Sequence, residues 1–131
     1  MRILIVDDES VIADSLALIF HASGFEARAV YSGERAVELA PLFEPDVLIS
    51  DVVMRGITGI EVAIHVRQLL PACRVLLFSG QAATSDLVQA ADTKGYRFDI
   101  LTKPVHPQVL LEYLQDCAAR LEGKHAATRV G

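Results

Sequence analysis

The sequence has no excess of basic charge, no long apolar run and few cysteines. Its 12 lysines and arginines stand against 17 aspartates and glutamates, a net charge of −5, which argues against direct binding to nucleic acid. No apolar run approaches the length of a membrane span, and acidic residues follow the first run at once, unlike the layout of a signal peptide. We therefore expect a cytoplasmic protein that binds neither membranes nor nucleic acid directly.

The two cysteines, Cys73 and Cys117, lie far apart in sequence and in apolar surroundings. This context is typical of free thiols that are buried in a core and kept reduced, whereas a disulfide or a metal pair is the weaker interpretation. Apolar residues make up 52% of the 131 residues and charged residues 22%. That balance favours one globular domain over disorder.

Short apolar runs alternate with helical patterns, which predicts five strand–helix units. The predicted strands are 2–6, 26–31, 47–50, 74–78 and 99–102. Pro71 ends the third predicted helix and Pro107 begins the last, while the fourth helix, at about 85–94, has a weaker pattern. Strands separated by helices pair in parallel through right-handed crossovers. We expect an α/β fold, with helices on both faces of one sheet and a polar tail or linker at 123–131.

Four of the predicted strands are followed by polar residues at their carboxyl ends, where open parallel sheets bind ligands. These residues are Asp7, Asp8 and Glu9 after the first strand, Asp51 after the third, Ser79 and Gly80 after the fourth, and Lys103 and Pro104 after the fifth. Each alone has an ordinary explanation as a helix start, a turn or a solvated lysine. Their agreement at four separate strand ends favours a shared cleft.

Three carboxylates in one cleft repel one another unless a cation lies among them, and their hard oxygens suit Mg²⁺ or Mn²⁺. We expect Asp7 and Asp8 to hold this metal. A carboxylate can attack phosphorus and form an aspartyl phosphate, while a metal, a hydroxyl and an ammonium neutralise the phosphoryl oxygens. The pattern therefore predicts phosphoryl transfer onto Asp51, with Ser79 and Lys103 binding phosphoryl oxygens.

These residues lie in motifs that resemble the response-regulator receiver family of two-component phosphorelay signalling. The similarity covers about residues 2–121 and is carried by 5–9, by 48–54 with Gly59, by 77–80 and by 101–104. The resemblance implies a receiver domain over 1–122 with a flavodoxin-like (βα)5 fold, a doubly wound parallel sheet in the order 2-1-3-4-5.

The family's site roles carry over to matching positions. The resemblance implies these roles: Asp51 as phospho-acceptor, Asp7, Asp8, Asp51 and the backbone carbonyl of Val53 as metal ligands, Ser79 as the switch hydroxyl, Lys103 as the phosphate-binding lysine, and Pro104 as a residue often preceded by a cis peptide bond.

The resemblance also implies a signalling switch that catalyses only its own phosphotransfer and dephosphorylation. Such a domain accepts its phosphoryl group from a histidine kinase or a histidine phosphotransferase and then changes its affinity for an output protein or domain. Receiver surfaces often form homodimers as well. The cognate kinase, the output, and whether this is a stand-alone receiver or part of a longer regulator stay open.

Two departures from the family pattern concern residues that would pass a change at the site to the rest of the domain. Arg55, after Met54, stands where proline is usual, which leaves the loop less stiff and adds a cation that we interpret as solvated. Ile100 stands where the family usually has its switch aromatic, and Phe98 lies two residues back on the same face. We therefore expect weaker or different coupling between Ser79 and the fifth strand.

A third departure concerns the lifetime of the aspartyl phosphate, which Val53 and Gln81 shape by their positions in the family pattern. The valine side chain cannot orient an attacking water, whereas the glutamine amide can. We expect slower self-hydrolysis than in a relative with a polar residue at the Val53 position.

Three alternatives fit the residues less well. A phosphatase of the haloacid-dehalogenase type uses a second aspartate two residues after its nucleophile, where Val53 stands. A flavodoxin-like cofactor binder needs a Ser/Thr- and Gly-rich phosphate loop, where Asp7 and Asp8 would repel a phosphate. A receiver that serves only for docking does not need the complete set of acids, hydroxyl and lysine, and a phosphorylation assay separates it from an active one.

Overall fold

The computed structural model describes residues 1–80, 89, 92, 94–96 and 98–130. Five strands form one parallel sheet: β1 (Arg2–Val6), β2 (Glu26–Val30), β3 (Val47–Asp51), β4 (Arg74–Ser79) and β5 (Asp99–Thr102). Their order is β2-β1-β3-β4-β5, which confirms the predicted topology. The fourth predicted helix lies almost entirely outside the described residues, and Gln81 lies outside them too.

The helices within the described residues are α1 (Ser10–Ala22), α2 (Gly33–Phe43), α3 (Gly59–Leu69) and a C-terminal helix (Pro107–Val130). Two of these helices begin at a residue whose side-chain hydroxyl caps the helix. Ser32 Oγ accepts a hydrogen bond from the Arg35 N–H at the start of α2, and Thr58 Oγ1 accepts one from the Glu61 N–H at the start of α3. None of these helices combines the length and the apolar composition needed to span a membrane.

Side chains alternate between the two faces of the sheet and build a core on each. Leu48 and Leu77 pack on the side of α2 and α3, while Ile49 and Leu76 pack on the side of α1 and the C-terminal helix. All four side chains are almost fully buried, and each such burial contributes about 2 kcal/mol. Burial on both faces explains why the strands are continuous apolar runs.

The C-terminal helix differs from the sequence-based expectation. Its apolar stripe ends near Leu121, but the helix continues to Val130, so the segment expected to be a polar tail or linker is helical over 123–130. This segment mixes alanine, lysine and arginine, which favour helix, with glycine, histidine, threonine and valine, which do not, so helix propensity alone does not account for the extension. The boundary of the receiver domain at 122 stays a prediction.

The junction between β3 and α3 positions Asp51. Gly59, the first residue of α3, donates its N–H to the Val52 carbonyl at 2.9 Å. A Cβ at Gly59 would overlap the carbonyl oxygen of Asp51, so glycine allows α3 to begin directly against the end of the strand. Ser50 Oγ also donates to that carbonyl, at 2.9 Å. The backbone at the end of β3 is therefore fixed by the Ser50 hydroxyl and by the first residue of α3.

Candidate functional site

Three predicted acids meet at the carboxyl edge of the sheet. Asp7 and Asp8 follow β1, and Asp51 ends the neighbouring strand β3. One carboxylate oxygen from each lies within 4.8 Å of the others. Asp7 is 2% exposed and Asp51 is 8% exposed, while Asp8 is half-buried. The strand order thus brings together residues that are 44 positions apart in sequence (51 − 7).

Asp7 has one satisfied oxygen and one orphaned oxygen. Its Oδ1 accepts a hydrogen bond from the Glu9 N–H at 2.9 Å, whereas its buried Oδ2 has no hydrogen-bond partner within the described part of the chain. Burial raises the pKa of Asp7, and the nearby charge of Asp51 raises it further, against the lowering effects of the Glu9 N–H and Lys103.

An unpartnered buried carboxylate oxygen within a three-acid group fits a cation ligand. Asp7, Asp8 and Asp51 offer only hard oxygen donors, the type that Mg²⁺ and Mn²⁺ bind. The residues present therefore fit the predicted metal site. The Val53 backbone carbonyl as a further ligand stays a prediction.

Lys103, which follows β5, lies at the same edge of the sheet and contacts Asp51. Its Nζ donates a hydrogen bond to Asp51 Oδ2 at 2.8 Å. Partial burial lowers the pKa of Lys103, but the hydrogen bond to Asp51 and the charges of Asp51 and Asp7 outweigh this effect and leave the pKa raised. The lysine is therefore a firmly charged ammonium beside the predicted acceptor carboxylate.

The ends of β4 and β5 are joined at the same edge. Ser79 and Thr102 pair across the two strands, and the Lys103 N–H donates to the Ser79 carbonyl at 3.0 Å. The peptide bond between Lys103 and Pro104 is cis, as the family pattern predicts. Ser79 is thus carried to the edge that holds the acids and the lysine.

The loop after Asp51 contains both predicted and unpredicted features. Val53 is 49% exposed, whereas Met54 is buried against the core on the α2 and α3 side. The Arg55 side chain is exposed, in keeping with the solvated interpretation. Its backbone N–H, however, donates to Asp8 Oδ2 at 3.2 Å, a contact that the sequence analysis missed.

Glu34 is a second residue that the sequence analysis missed. Its Oε1 accepts a hydrogen bond from the Ile57 N–H at 3.0 Å, and this bond lowers the pKa of Glu34. In the sequence, an acid in the first turn of a helix indicates only a favourable interaction with the helix dipole. No pattern in the sequence links it to the loop after Asp51.

Ile100, at the position where the family usually has its switch aromatic, and Phe98 both precede Thr102, the residue that pairs with Ser79. Ile100 pairs with Leu77 and is 39% exposed. Phe98 precedes β5, packs against the core on the α3 side, and lies under the guanidinium of Arg67, whose central carbon is 5.3 Å from the ring centroid. The Tyr96 ring stacks on the Phe98 ring, with 6.2 Å between the two ring centroids.

Replacing Asp7 tests the cost of its buried charge. The folded state raises the pKa of Asp7. The free energy of unfolding therefore falls as the pH rises above the pKa that Asp7 has in the unfolded chain, and this loss of stability persists at neutral pH. Asp7→Asn keeps an oxygen for the Glu9 N–H and removes the charge. With a chelator at pH 7 we expect the variant to gain on the order of 1 kcal/mol of unfolding free energy by denaturant titration.

The matched control is Asp116→Asn, which removes an exposed acid paired with Arg120 and should change little. Adding Mg²⁺ should stabilise the wild type but not Asp7→Asn. A loss of stability in Asp7→Asn under chelating conditions at pH 7 would contradict the interpretation.

The sequence matches the family model for the response regulator receiver domain over residues 3–115. It is 29% identical over 126 residues to the cell cycle response regulator CtrA of Brucella abortus, an alignment that covers 94% of this chain and 52% of that protein. The chain therefore spans about half the length of this curated relative.

Solved structures show the same fold. Chemotaxis protein CheY4 of Vibrio cholerae superposes with a TM-score of 0.76 at 28% identity, over 88% of this chain and 97% of that one. A putative response regulator of Chloroflexus aurantiacus gives 0.75 at 33% identity, over 90% of this chain and 97% of that one. With the sheet order and the acidic edge, these matches show that the chain belongs to the response regulator receiver domain family.

Proposed function

We propose that this receiver domain accepts a phosphoryl group on Asp51 from a histidine kinase or a histidine phosphotransferase. The observation that carries the proposal is the 2.8 Å hydrogen bond from Lys103 Nζ to Asp51 Oδ2, beside a group of three carboxylates. The lysine holds the acceptor carboxylate in place and supplies a positive charge where phosphoryl oxygens would arrive.

The transfer is a displacement at phosphorus. An Asp51 carboxylate oxygen forms a bond to phosphorus as the bond from phosphorus to the donor's imidazole nitrogen breaks, and the departing imidazole keeps the electron pair and takes a proton from solvent. Mg²⁺ or Mn²⁺, held by Asp7, Asp8, Asp51 and the Val53 carbonyl, would neutralise phosphoryl oxygens when bound. Lys103 Nζ and the Ser79 hydroxyl would bind the remaining oxygens.

The consequence of phosphorylation is a change in partner binding. A charged phosphoryl group at the edge where β3, β4 and β5 end alters the hydrogen bonds of Lys103 and Ser79, and a partner that prefers the altered surface shifts the equilibrium. The partner is an output protein or domain or a second copy of the chain. The acidic balance, with a net charge of −5, favours a protein partner over nucleic acid.

Phosphorylation in solution tests the acceptor directly. Incubation of the chain with a small phosphodonor and Mg²⁺ should add the mass of one phosphoryl group by intact mass spectrometry. Asp51→Asn should abolish the addition, because the amide is not a nucleophile at phosphorus, and chelation should abolish it in the wild type. Asp14→Asn is the matched control, because Asp14 accepts a hydrogen bond from the exposed Tyr31 and is not one of the three grouped acids. Equal labelling of Asp51→Asn would refute the assignment.

The lifetime of the phosphorylated form depends on Val53. Its side chain is 49% exposed and has no group to orient a water for attack on the aspartyl phosphate. Val53→Asn should therefore lose its phosphoryl group faster than the wild type, by a factor of about 10, in a time course of intact mass after removal of the donor. Val53→Ala, which adds no polar group, should keep the wild-type rate, and equal rates for all three proteins would overturn the prediction.

We expect Phe98 to keep its position when Asp51 is phosphorylated. Continuing the strand register puts Phe98 near the level of Val75, about 13 Å along a strand from Ser79, and Arg67 and Tyr96 cover its ring. A structure with a bound phosphate mimic should show Phe98 still packed against Arg67. A ring turned inward toward Ser79 would show instead that the aromatic relay operates here.

A further inference from the structure

The loop between β3 and α3 is anchored on the core side. The Val52 N–H donates to the Phe78 carbonyl at 3.1 Å, and the Val52 carbonyl accepts from the Gly59 N–H at 2.9 Å. Met54 is only 9% exposed and packs with the core residues of α2 and α3. The backbone on the amino side of Arg55 is therefore fixed.

A second anchor holds the loop on the carboxyl side of Arg55. Glu34, in the first turn of α2, accepts the Ile57 N–H at 3.0 Å. Gly56 has a φ of +79°, and a Cβ there would strike the Glu34 carboxylate. Glycine at this position thus allows the loop to lie directly against Glu34.

Between these anchors, the Arg55 N–H donates to Asp8 Oδ2 at 3.2 Å. The donor is the backbone rather than the exposed side chain, so its direction is set by the loop. A proline at this position would have no N–H to donate. The arginine backbone therefore provides a hydrogen bond to one of the three clustered acids.

We propose that Arg55 is a positioning residue for the metal site, acting through its backbone N–H, with Glu34 holding the loop that presents it. Asp7, Asp8 and Asp51 repel one another within 4.8 Å, and a bond from a fixed N–H offsets part of that repulsion at Asp8 and limits its rotamers. Asp8 is thereby kept in the ligand group before a cation arrives. The inference rests on the proposed metal-dependent function.

The decisive comparison is between Arg55→Pro and Arg55→Ala. Both remove the guanidinium, but only proline removes the N–H. Isothermal titration of the full chain with Mg²⁺, without phosphodonor, should show binding weakened about tenfold in Arg55→Pro, the size of effect seen when an outer hydrogen-bond partner of a metal ligand is lost. Arg55→Ala should bind Mg²⁺ within about twofold of the wild type, because an exposed charge contributes little.

The loop anchor gives an independent variant that leaves Arg55 intact. Glu34→Ala removes the acceptor of the Ile57 N–H without touching the acids, and it should weaken Mg²⁺ binding in the same direction as Arg55→Pro. Glu38→Ala is its control, because Glu38 is an exposed acid on the same helix paired only with Arg35 among the described contacts. Glu38→Ala should bind Mg²⁺ as the wild type does.

A nuclear magnetic resonance measurement covers the case in which Arg55→Pro fails to fold. In the wild type and in Arg55→Ala, the amide resonance of residue 55 should move when Asp8 is replaced by asparagine. A resonance that does not move, or equal Mg²⁺ affinities for Arg55→Pro and Arg55→Ala, would contradict the positioning role while leaving phosphorylation of Asp51 intact. A wild type that binds no Mg²⁺ would contradict this role and the proposed metal site together.

Discussion

The mutual repulsion of three carboxylates at one edge of the sheet is the constraint on which the rest of the site depends. Asp7 and Asp51 are buried, so water screens their charges poorly. Each acid receives its own compensation: the Glu9 N–H for Asp7, the Arg55 N–H for Asp8 and the Lys103 ammonium for Asp51. Asp7 Oδ2 has no hydrogen-bond partner within the described part of the chain, so this compensation is incomplete there, which fits the metal site that we propose.

The sequence was sufficient to predict the sheet and its acidic edge, because both follow from strong local patterns. Continuous apolar runs mark buried parallel strands, and the polar residue that ends each run must lie at the edge where ligands bind. Glu34 and the Arg55 N–H could not be predicted in this way. Their contacts depend on the path of the loop from 52 to 58, which Gly56 permits but does not specify. A backbone donor also leaves no signature in a side-chain pattern. The helix over 123–130 could not be predicted because this segment has neither an apolar stripe nor a consistent helix propensity.

The surroundings of Phe98 could not be predicted from the sequence either, because they depend on how α3 packs against the sheet. Alternation predicts Phe98 and Ile100 on one face, but it could not reveal that Arg67 lies over the Phe98 ring. Arg67 belongs to the last turn of α3, so the contact ties the segment before β5 to a helix that begins beside Asp51. The aromatic side chains here serve the packing of α3 against the sheet, and the exposed Ile100 leaves no ring at the usual switch position.

Lys103 is the residue through which a change at Asp51 can reach the neighbouring strands. Its side chain bonds Asp51 on β3, and its backbone N–H bonds the carbonyl of Ser79 on β4. A phosphoryl group on Asp51 would present new anionic oxygens to the ammonium, and the stem of the lysine would have to adjust. Because the lysine backbone is joined to Ser79 and directly follows β5, this adjustment would act on the β4 and β5 ends without requiring an aromatic side chain to turn. The proposed acceptor chemistry and the proposed first step of the switch would thus depend on the same ion pair, between Lys103 and Asp51.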